Sequence, residues 1–138
     1  MDAVGDERGQ VALLAAALIA IGVVVIVGLR EAEARIVTHA SEVRASEAAV
    51  EAATAVIADA YVAELRARAD PSYAPRDMHQ VVTAPAVTQS ARDAADAVSD
   101  RNSGPHVDTL TVACVGRAVE VAIRMRDAEY RAGFAGQC

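Results

Sequence analysis

The chain contains no lysine and no tryptophan, and its aromatic residues are one phenylalanine and three tyrosines among 138 residues. Large aromatic side chains supply much of the buried area of a protein core, so the soluble part of this chain has only a thin core. Every basic residue is an arginine, and 19 acidic residues outnumber 13 basic ones. Because the arginines are dispersed among carboxylates, the sequence lacks the basic patch of a nucleic-acid-binding protein, and we expect no nucleic acid partner.

The sequence also lacks the motifs of a catalytic or metal-binding site. It has no His-Glu-x-x-His, no paired Cys-x-x-Cys and no cysteine–histidine spacing of the zinc type. Its histidines are far apart and are expected at the surface: His39, His79 and His106. The aspartates at helical spacing are expected to form a solvated face: Asp93, Asp96 and Asp100. We therefore expect no enzyme activity, no metal, no cofactor and no small-molecule substrate.

The dominant feature of the sequence is an apolar run of 19 residues, 11–29, without charge or proline. At about 1.5 Å of helical rise per residue, such a helix spans roughly 28 Å, close to the thickness of the hydrocarbon core of a bilayer. We expect a leader at residues 1–10 and a single transmembrane helix at residues 11–29. Within this helix, alanines at every fourth position predict a face on which a second helix can pack closely: Ala12, Ala16 and Ala20.

A cleaved secretory signal is the alternative to a retained anchor. Ala32 and Ala34 flank Glu33 in the small-x-small pattern of a signal-peptidase site, and cleavage after Ala34 would release a small secreted protein. Against this alternative, the apolar run exceeds the about 7–15 residues of a usual signal sequence, and the leader is acidic rather than basic. We therefore favour the anchor.

The flanking arginines do not settle the orientation of the anchor. Arg8 precedes the apolar run, whereas Arg30, Arg35 and Arg44 follow it. Taken literally, the positive-inside rule therefore places the C-terminal part inside. Other observations must decide the orientation.

Residues 30–69 contain neither proline nor glycine, which predicts that the helix continues beyond the membrane. Apolar residues recur there at intervals of three, four and seven and form a narrow stripe: Ile36, Val43, Val50, Ile57, Tyr61 and Leu65. A long amphipathic helix is stabilised mainly by packing, so we expect this stripe to contact helices of partner proteins. Glu64 and Arg68 are expected to form a favourable pair on the helix surface.

The remaining sequence predicts a small head. Residues 70–85 hold three prolines and form a linker, in which residues 81–83 are expected to be briefly extended. Residues 86–102 predict a short helix. The apolar residues then alternate with period two on both sides of Gly116, which predicts a β-hairpin and completes a head at residues 86–126. The tail, residues 127–138, is expected to be loosely ordered.

Together these elements predict an α+β fold, in which a single N-terminal transmembrane helix continues into a long amphipathic helix, followed by a short helix and a β-hairpin. Cys114 lies on the apolar side of the first predicted strand, and Cys138 is the last residue. A disulfide between them would close a loop of roughly 25 residues and contribute on the order of 3 kcal/mol. Such a bond indicates an exported domain, because it persists in oxidising compartments. The alternative is two unpaired thiols.

The order of these parts resembles the TadE/TadG-like proteins, which are pilin-like accessory subunits of the tight-adherence (Flp-type) pilus and secretion machinery of bacteria. The resemblance rests on the leader ending in ERGQ, the run VALLAAALIAIGVVVIVGL, the following alanine-rich helix, and TLTVACVGRAVEV, which is similar to short actinobacterial TadE-like proteins. The family implies a lollipop-shaped, single-pass subunit in the inner (cytoplasmic) membrane, with its N-terminus inside and its head outside. It also implies other pilin-like or Tad-system subunits as partners.

The family also suggests processing by a prepilin peptidase, which cuts pilins after a glycine and leaves a glutamate at the fifth mature position. Gly5 and Gly9 are the candidate processing positions in this chain. A cut after Gly5 places Gln10 at the fifth position, and a cut after Gly9 places Leu14 there. Since neither residue carries a carboxylate, the sequence favours an accessory or minor subunit over a major pilin.

Overall fold

The computed structural model describes the backbone of residues 4–138 and the side chains of residues 14–33 and 35–138. Residues 1–3 lie outside the described residues altogether. The side chains of the rest of the predicted leader, which includes Gly5 and Gly9, and those of Ala12 and Ala34 also lie outside them. The elements are three helices, α1 (Val4–Ala67), α2 (Met78–Val82) and α3 (Pro85–Arg101), and three strands, β1 (Thr109–Val115), β2 (Ala118–Met125) and β3 (Ala128–Ala135). The fold is therefore α+β, with a long N-terminal helix that contains the apolar run.

The chain divides into two compact units. The first ends at His39 and consists of the N-terminal part of α1. The second is Ala40–Cys138, which is larger than the predicted head at residues 86–126, and from here on we call this unit the head. The head contains the rest of α1 and every other element.

The core of the head forms where small and aliphatic residues of α1 meet the inner face of the sheet and the two short helices. Three alanines of α1 are almost completely buried: Ala45, Ala49 and Ala53. Their small side chains allow the backbone of α1 to approach its neighbours, and Gly104 continues this close contact. A Cβ atom at Gly104 would lie 2.7 Å from the Cβ of Ala45 and 2.5 Å from the Oγ of Ser99. Only glycine therefore fits at position 104.

The sheet has the order β1-β2-β3 and is antiparallel throughout. Val115 pairs with Ala118 across a two-residue turn that begins at Gly116, whose φ of +61° is the left-handed conformation that glycine adopts readily. The inner face of β2 is fully buried and follows the predicted alternation: Val119, Val121, Ile123 and Met125. The predicted hairpin is thus present, with its turn at Gly116.

The prediction of a loosely ordered tail at 127–138 is wrong, because residues 128–135 form a third strand on the free edge of β2. The strand turns inward at alternate positions, with Tyr130, Ala132 and Phe134 half-buried against the core. A third strand removes the weakness of an isolated two-stranded sheet and places the aromatic ring of Phe134 5.4 Å from that of Tyr61. The sheet is therefore three-stranded.

The linker also differs from its prediction. Residues 81–83 are not extended, because Asp77 caps the short helix α2 by accepting a hydrogen bond from the N–H of Gln80 at 3.1 Å. Met78, Val81 and Val82 of this helix are buried in the head. The following helix begins at Pro85, one residue before the predicted start, and ends at Arg101.

The stripe predicted to contact partner helices is largely part of the head's own core. Val50, Ile57 and Tyr61 retain 9 % or less of their accessible surface and belong to the core cluster that includes the inner face of β2. The prediction of a partner surface is therefore wrong for these three residues, because the sheet and the short helices of the same chain cover them. Val43 is half-buried, whereas Ile36 and Leu65 remain exposed.

Candidate functional site

The most unusual surface of the chain is the apolar segment, which we define as residues 14–29 of α1. Its large aliphatic side chains keep 52–71 % of their accessible surface: Leu14, Leu18, Ile19, Ile21, Val23, Val24, Val25, Ile26, Val27 and Leu29. Monomeric soluble proteins rarely expose so large a contiguous apolar patch to water. Helix α1 is also long and apolar enough to cross a membrane. Among the residues that the structure describes, nothing covers this apolar surface.

The predicted small-residue face lies on this segment. Ala16 and Ala20 are exposed, while the side chain of Ala12 lies outside the described residues. Close packing of another helix along this face stays a prediction. Two further aliphatic side chains, Ile36 and Val37, are each 68 % exposed just beyond the apolar segment. These two side chains form a second exposed apolar patch of α1, which residues 30–35 separate from the apolar segment.

A buried carboxylate, Glu64, joins the end of α1 to the linker. The side chain of Glu64 has no exposed surface, and its carboxylate accepts hydrogen bonds from the Tyr73 hydroxyl at 2.8 Å and from the Arg76 backbone N–H at 3.0 Å. The Arg76 Nε donates a further bond at 2.9 Å, and the Arg68 Nε donates one at 3.3 Å. The predicted surface pair between Glu64 and Arg68 is therefore one part of a larger buried cluster.

The electrostatics of this cluster favour the charged form of Glu64. Burial by itself raises the pKa of a carboxyl group, but the bonds from Tyr73, Arg76 and Arg68 lower the pKa of Glu64 from 4.5 to about 2. The carboxylate thus keeps its charge at neutral pH, and this charge holds Arg76 and Tyr73 against the end of α1. Its role is structural, since every acceptor position faces a donor of the same chain.

The two cysteines form a disulfide at the edge of the head. Cys114 and Cys138 are bonded, with their Cα atoms 6.0 Å apart and a sequence separation of 24. The bond ties the end of the chain after β3 to the inner side of β1. His79 on α2 lies next to this disulfide, with its Nδ1 atom 3.5 Å from the Sγ atom of Cys114. The pairing is predictable from the sequence, but the place of the histidine is not, since its sequence separation from Cys114 is 35.

Removing the disulfide should weaken the head without unfolding it. We expect Cys138→Ser to lower the free energy of unfolding by about 2–3 kcal/mol, because a loop of this length adds that much entropy to the unfolded chain. Thermal unfolding of the full-length chain in detergent, with and without reductant, measures the loss. A wild-type protein that shows two reactive thiols when denatured without reductant would contradict the bond.

The other predicted polar residues do not meet in one place. His39 is exposed on α1, and the Nδ1 of His106 lies 3.7 Å from one carboxylate oxygen each of Asp96 and Asp100. Asp96 also accepts the backbone N–H of Val107 at 2.8 Å and so helps to fix the entry into β1. Among the side chains that the structure describes, no group of three or more histidine, cysteine or acidic residues could hold a metal.

An open pocket in the head lies where the end of α1 passes the linker and the start of α3. Its walls are mostly small and aliphatic: Ala60, Ala63, Arg76, Gln80, Val81, Ala84 and Val87. The guanidinium of Arg76 is already paired with Glu64 at 2.8 Å. The pocket therefore offers mainly apolar contacts.

Comparisons with protein-family models, with curated proteins and with solved structures found no match to this chain.

Proposed function

We propose that this chain is a non-enzymatic, membrane-anchored, pilin-like (TadE/TadG-like) subunit of a bacterial pilus or secretion assembly. The exposed apolar segment carries the proposal, because ten large aliphatic side chains there are not covered by any other residue that the structure describes. A lipid bilayer covers such a surface in full, and 16 residues from 14 to 29 together with the preceding apolar residues match its thickness. The order of leader, apolar run, alanine-rich helix and small head supports the family.

The head faces the outside of the inner (cytoplasmic) membrane in this proposal, with the N-terminus inside. The disulfide supports this orientation, because such bonds form and persist outside the reducing cytoplasm. In this proposal the disulfide takes precedence over the arginine count near the apolar run, which by itself would place the head inside.

Partner subunits contact the part of α1 that the head leaves uncovered. Ile36 and Val37 are the largest exposed aliphatic side chains between the apolar segment and the head, and Ala16 and Ala20 provide a small-residue face within the bilayer. A neighbouring pilin-like helix packs along both surfaces and buries them. The core residues of the head then have no direct part in assembly.

Substitution at Ile36 tests this proposal. We expect Ile36→Asp to reduce recovery of partner subunits from native membranes by tenfold or more, because a buried carboxylate without a partner costs more than 1.4 kcal/mol. Ile36→Leu is the matched control and should keep association, since it preserves the apolar volume. The melting temperature of the head should be the same in both variants, because Ile36 is 68 % exposed.

Fractionation and mass spectrometry separate the proposal from its alternative. An anchored subunit stays in the membrane pellet after carbonate extraction and keeps its apolar segment. A water-soluble product that begins at Arg35 would instead identify a small secreted protein released after Ala34. Equal partner recovery by Ile36→Asp and Ile36→Leu would contradict packing at this position.

A further inference from the structure

We propose that the Cys114–Cys138 disulfide is a thiol-exchange site, in which an incoming thiolate attacks Cys138 and His79 stabilises the thiolate that leaves on Cys114. The substrate class is a thiol, either a small thiol or an exposed cysteine of another protein. This site is independent of the pilin-like function, since it depends only on the head.

The two sulfur atoms differ in their surroundings. Cys138 is exposed and follows the end of β3, whereas Cys114 is half-buried on the inner side of β1. A thiolate must approach the sulfur that it attacks, so Cys138 is the more accessible target. Attack at Cys138 makes Cys114 the leaving group.

The leaving group is the sulfur that has a hydrogen-bonding neighbour. The Nδ1 of His79 lies 3.5 Å from the Sγ of Cys114, and a protonated Nδ1 donates a hydrogen bond to a thiolate formed there. Stabilising the leaving thiolate speeds exchange, because a better leaving group departs faster. Accessibility and leaving-group stabilisation therefore point to the same direction of attack.

His79 is held in place by its own helix. Asp77 caps the start of α2, and the carbonyl oxygen of His79 accepts bonds from the Thr83 hydroxyl at 2.7 Å and from the Thr83 N–H at 3.0 Å. Met78 beside it is buried in the core. The imidazole is thus presented to Cys114 by a fixed backbone, although its ring is exposed.

The head keeps its other contacts when the bond opens. The N–H of Gln137 donates to the Tyr61 hydroxyl at 2.9 Å, and the N–H of Gly136 donates to the carbonyl of Arg117 at 3.1 Å. Ala135 still pairs with Ala118 in the sheet. Cys138 therefore stays near Cys114 and can close the bond again after exchange.

The exchange balances without another reactant. A thiol loses its proton to solvent, and its sulfur forms a new bond to the Sγ of Cys138 while the bond between the two cysteines breaks. The electron pair of the broken bond remains on Cys114 as a thiolate. The attacking sulfur is oxidised to a mixed disulfide and Cys114 is reduced.

Peptide mapping after exchange tests which sulfur is attacked. The full-length chain in detergent is incubated with reduced glutathione, quenched with acid and alkylated. Trypsin then separates the two cysteines, because Cys114 falls in the peptide 102–117 and Cys138 in the peptide 132–138. We expect glutathione on 132–138 and the alkyl group on 102–117. Glutathione on 102–117 overturns the proposal.

Variants of His79 test its part in the step. We expect His79→Ala to slow the exchange about three- to tenfold, as loss of a hydrogen bond to a thiolate predicts. His79→Asn restores a donor nitrogen near the same position and should recover most of the exchange rate. His39→Ala is the control, because it removes an exposed histidine that lies on α1, and it should leave the exchange rate unchanged. Equal rates for wild type and His79→Ala overturn the role of His79.

A second version of the exchange experiment distinguishes a small thiol from a protein thiol as the substrate. A cysteine-containing peptide replaces glutathione at the same thiolate concentration. A faster reaction with the peptide identifies protein thiols as the substrate, and an equal or slower one identifies small thiols. An adduct at Cys138 in both versions supports the proposal, and an adduct at Cys114 in either version overturns it.

Discussion

Replacing Ile57 with aspartate is expected to unfold the head. Ile57 has no exposed surface and belongs to the core cluster with the inner face of β2. Truncation to alanine at such a position costs about 2–5 kcal/mol, and a buried carboxylate without a partner costs still more. A domain with so few large side chains has a total stability near the lower end of about 5–15 kcal/mol. The expected loss therefore approaches the whole stability of the head.

Circular dichroism and trypsin resistance of the full-length chain in detergent measure this effect. Ile57→Asp should lose the thermal transition of the head and expose its arginines to rapid cleavage. Ile36→Asp is the matched control, because it makes the same change on the same helix at a residue that is 68 % exposed. If both variants keep the transition, Ile57 is not part of the core.

Acid is expected to weaken the head through Glu64. The pKa of Glu64 is about 2 in the folded head, compared with the ordinary value of 4.5 that we take for the unfolded chain. Between pH 2 and pH 4.5 the folded state therefore binds fewer protons than the unfolded chain. The stabilisation is therefore complete above about pH 4.5 and is lost as the pH falls toward 2. The pKa of Asp70 is also lowered, by the Ser72 hydroxyl and the Ser72 N–H, and it acts in the same direction.

Thermal unfolding of wild type and Glu64→Gln between pH 6 and pH 2 separates the two carboxylates. We expect Glu64→Gln to melt several degrees below wild type at pH 6, because it loses the charge that binds Arg76, Arg68 and Tyr73. The difference should shrink as the pH falls, since Glu64 in wild type becomes neutral. Asp70→Asn serves as the control for the remaining acid dependence. A constant difference between wild type and Glu64→Gln across this range would contradict the lowered pKa.

The local elements of this fold were largely predictable from the chain. Periodicity of two indicated β1 and β2, and proline with glycine and asparagine bounded α3 closely. Tyr130, Ala132 and Phe134 of β3 also alternate, but Gly133 and the small side chain of Ala132 weaken the pattern that would predict a strand there. The sequence does not predict the short helix α2, because five residues carry too little periodic signal.

The candidate site was less predictable. The spacing of Glu64 and Arg68 indicated a surface pair, yet the linker returns Tyr73 and Arg76 to the same carboxylate and buries it. The distance of His79 from Cys114 likewise depends on how α2 packs against the head. Sequence spacing reports neighbours along one helix and gives no information on contacts that a loop creates.

The sequence alone determined that residues 11–29 are apolar without interruption, that one side of the following helix is apolar, and that two cysteines were available to pair. These properties follow from local composition and period. Only the tertiary structure decided what covers the apolar side: the chain's own sheet covers Val50, Ile57 and Tyr61, whereas Ile36 remains exposed. The physical reason is that periodicity shows which face of a helix avoids water, while the surface that buries this face comes from distant parts of the chain.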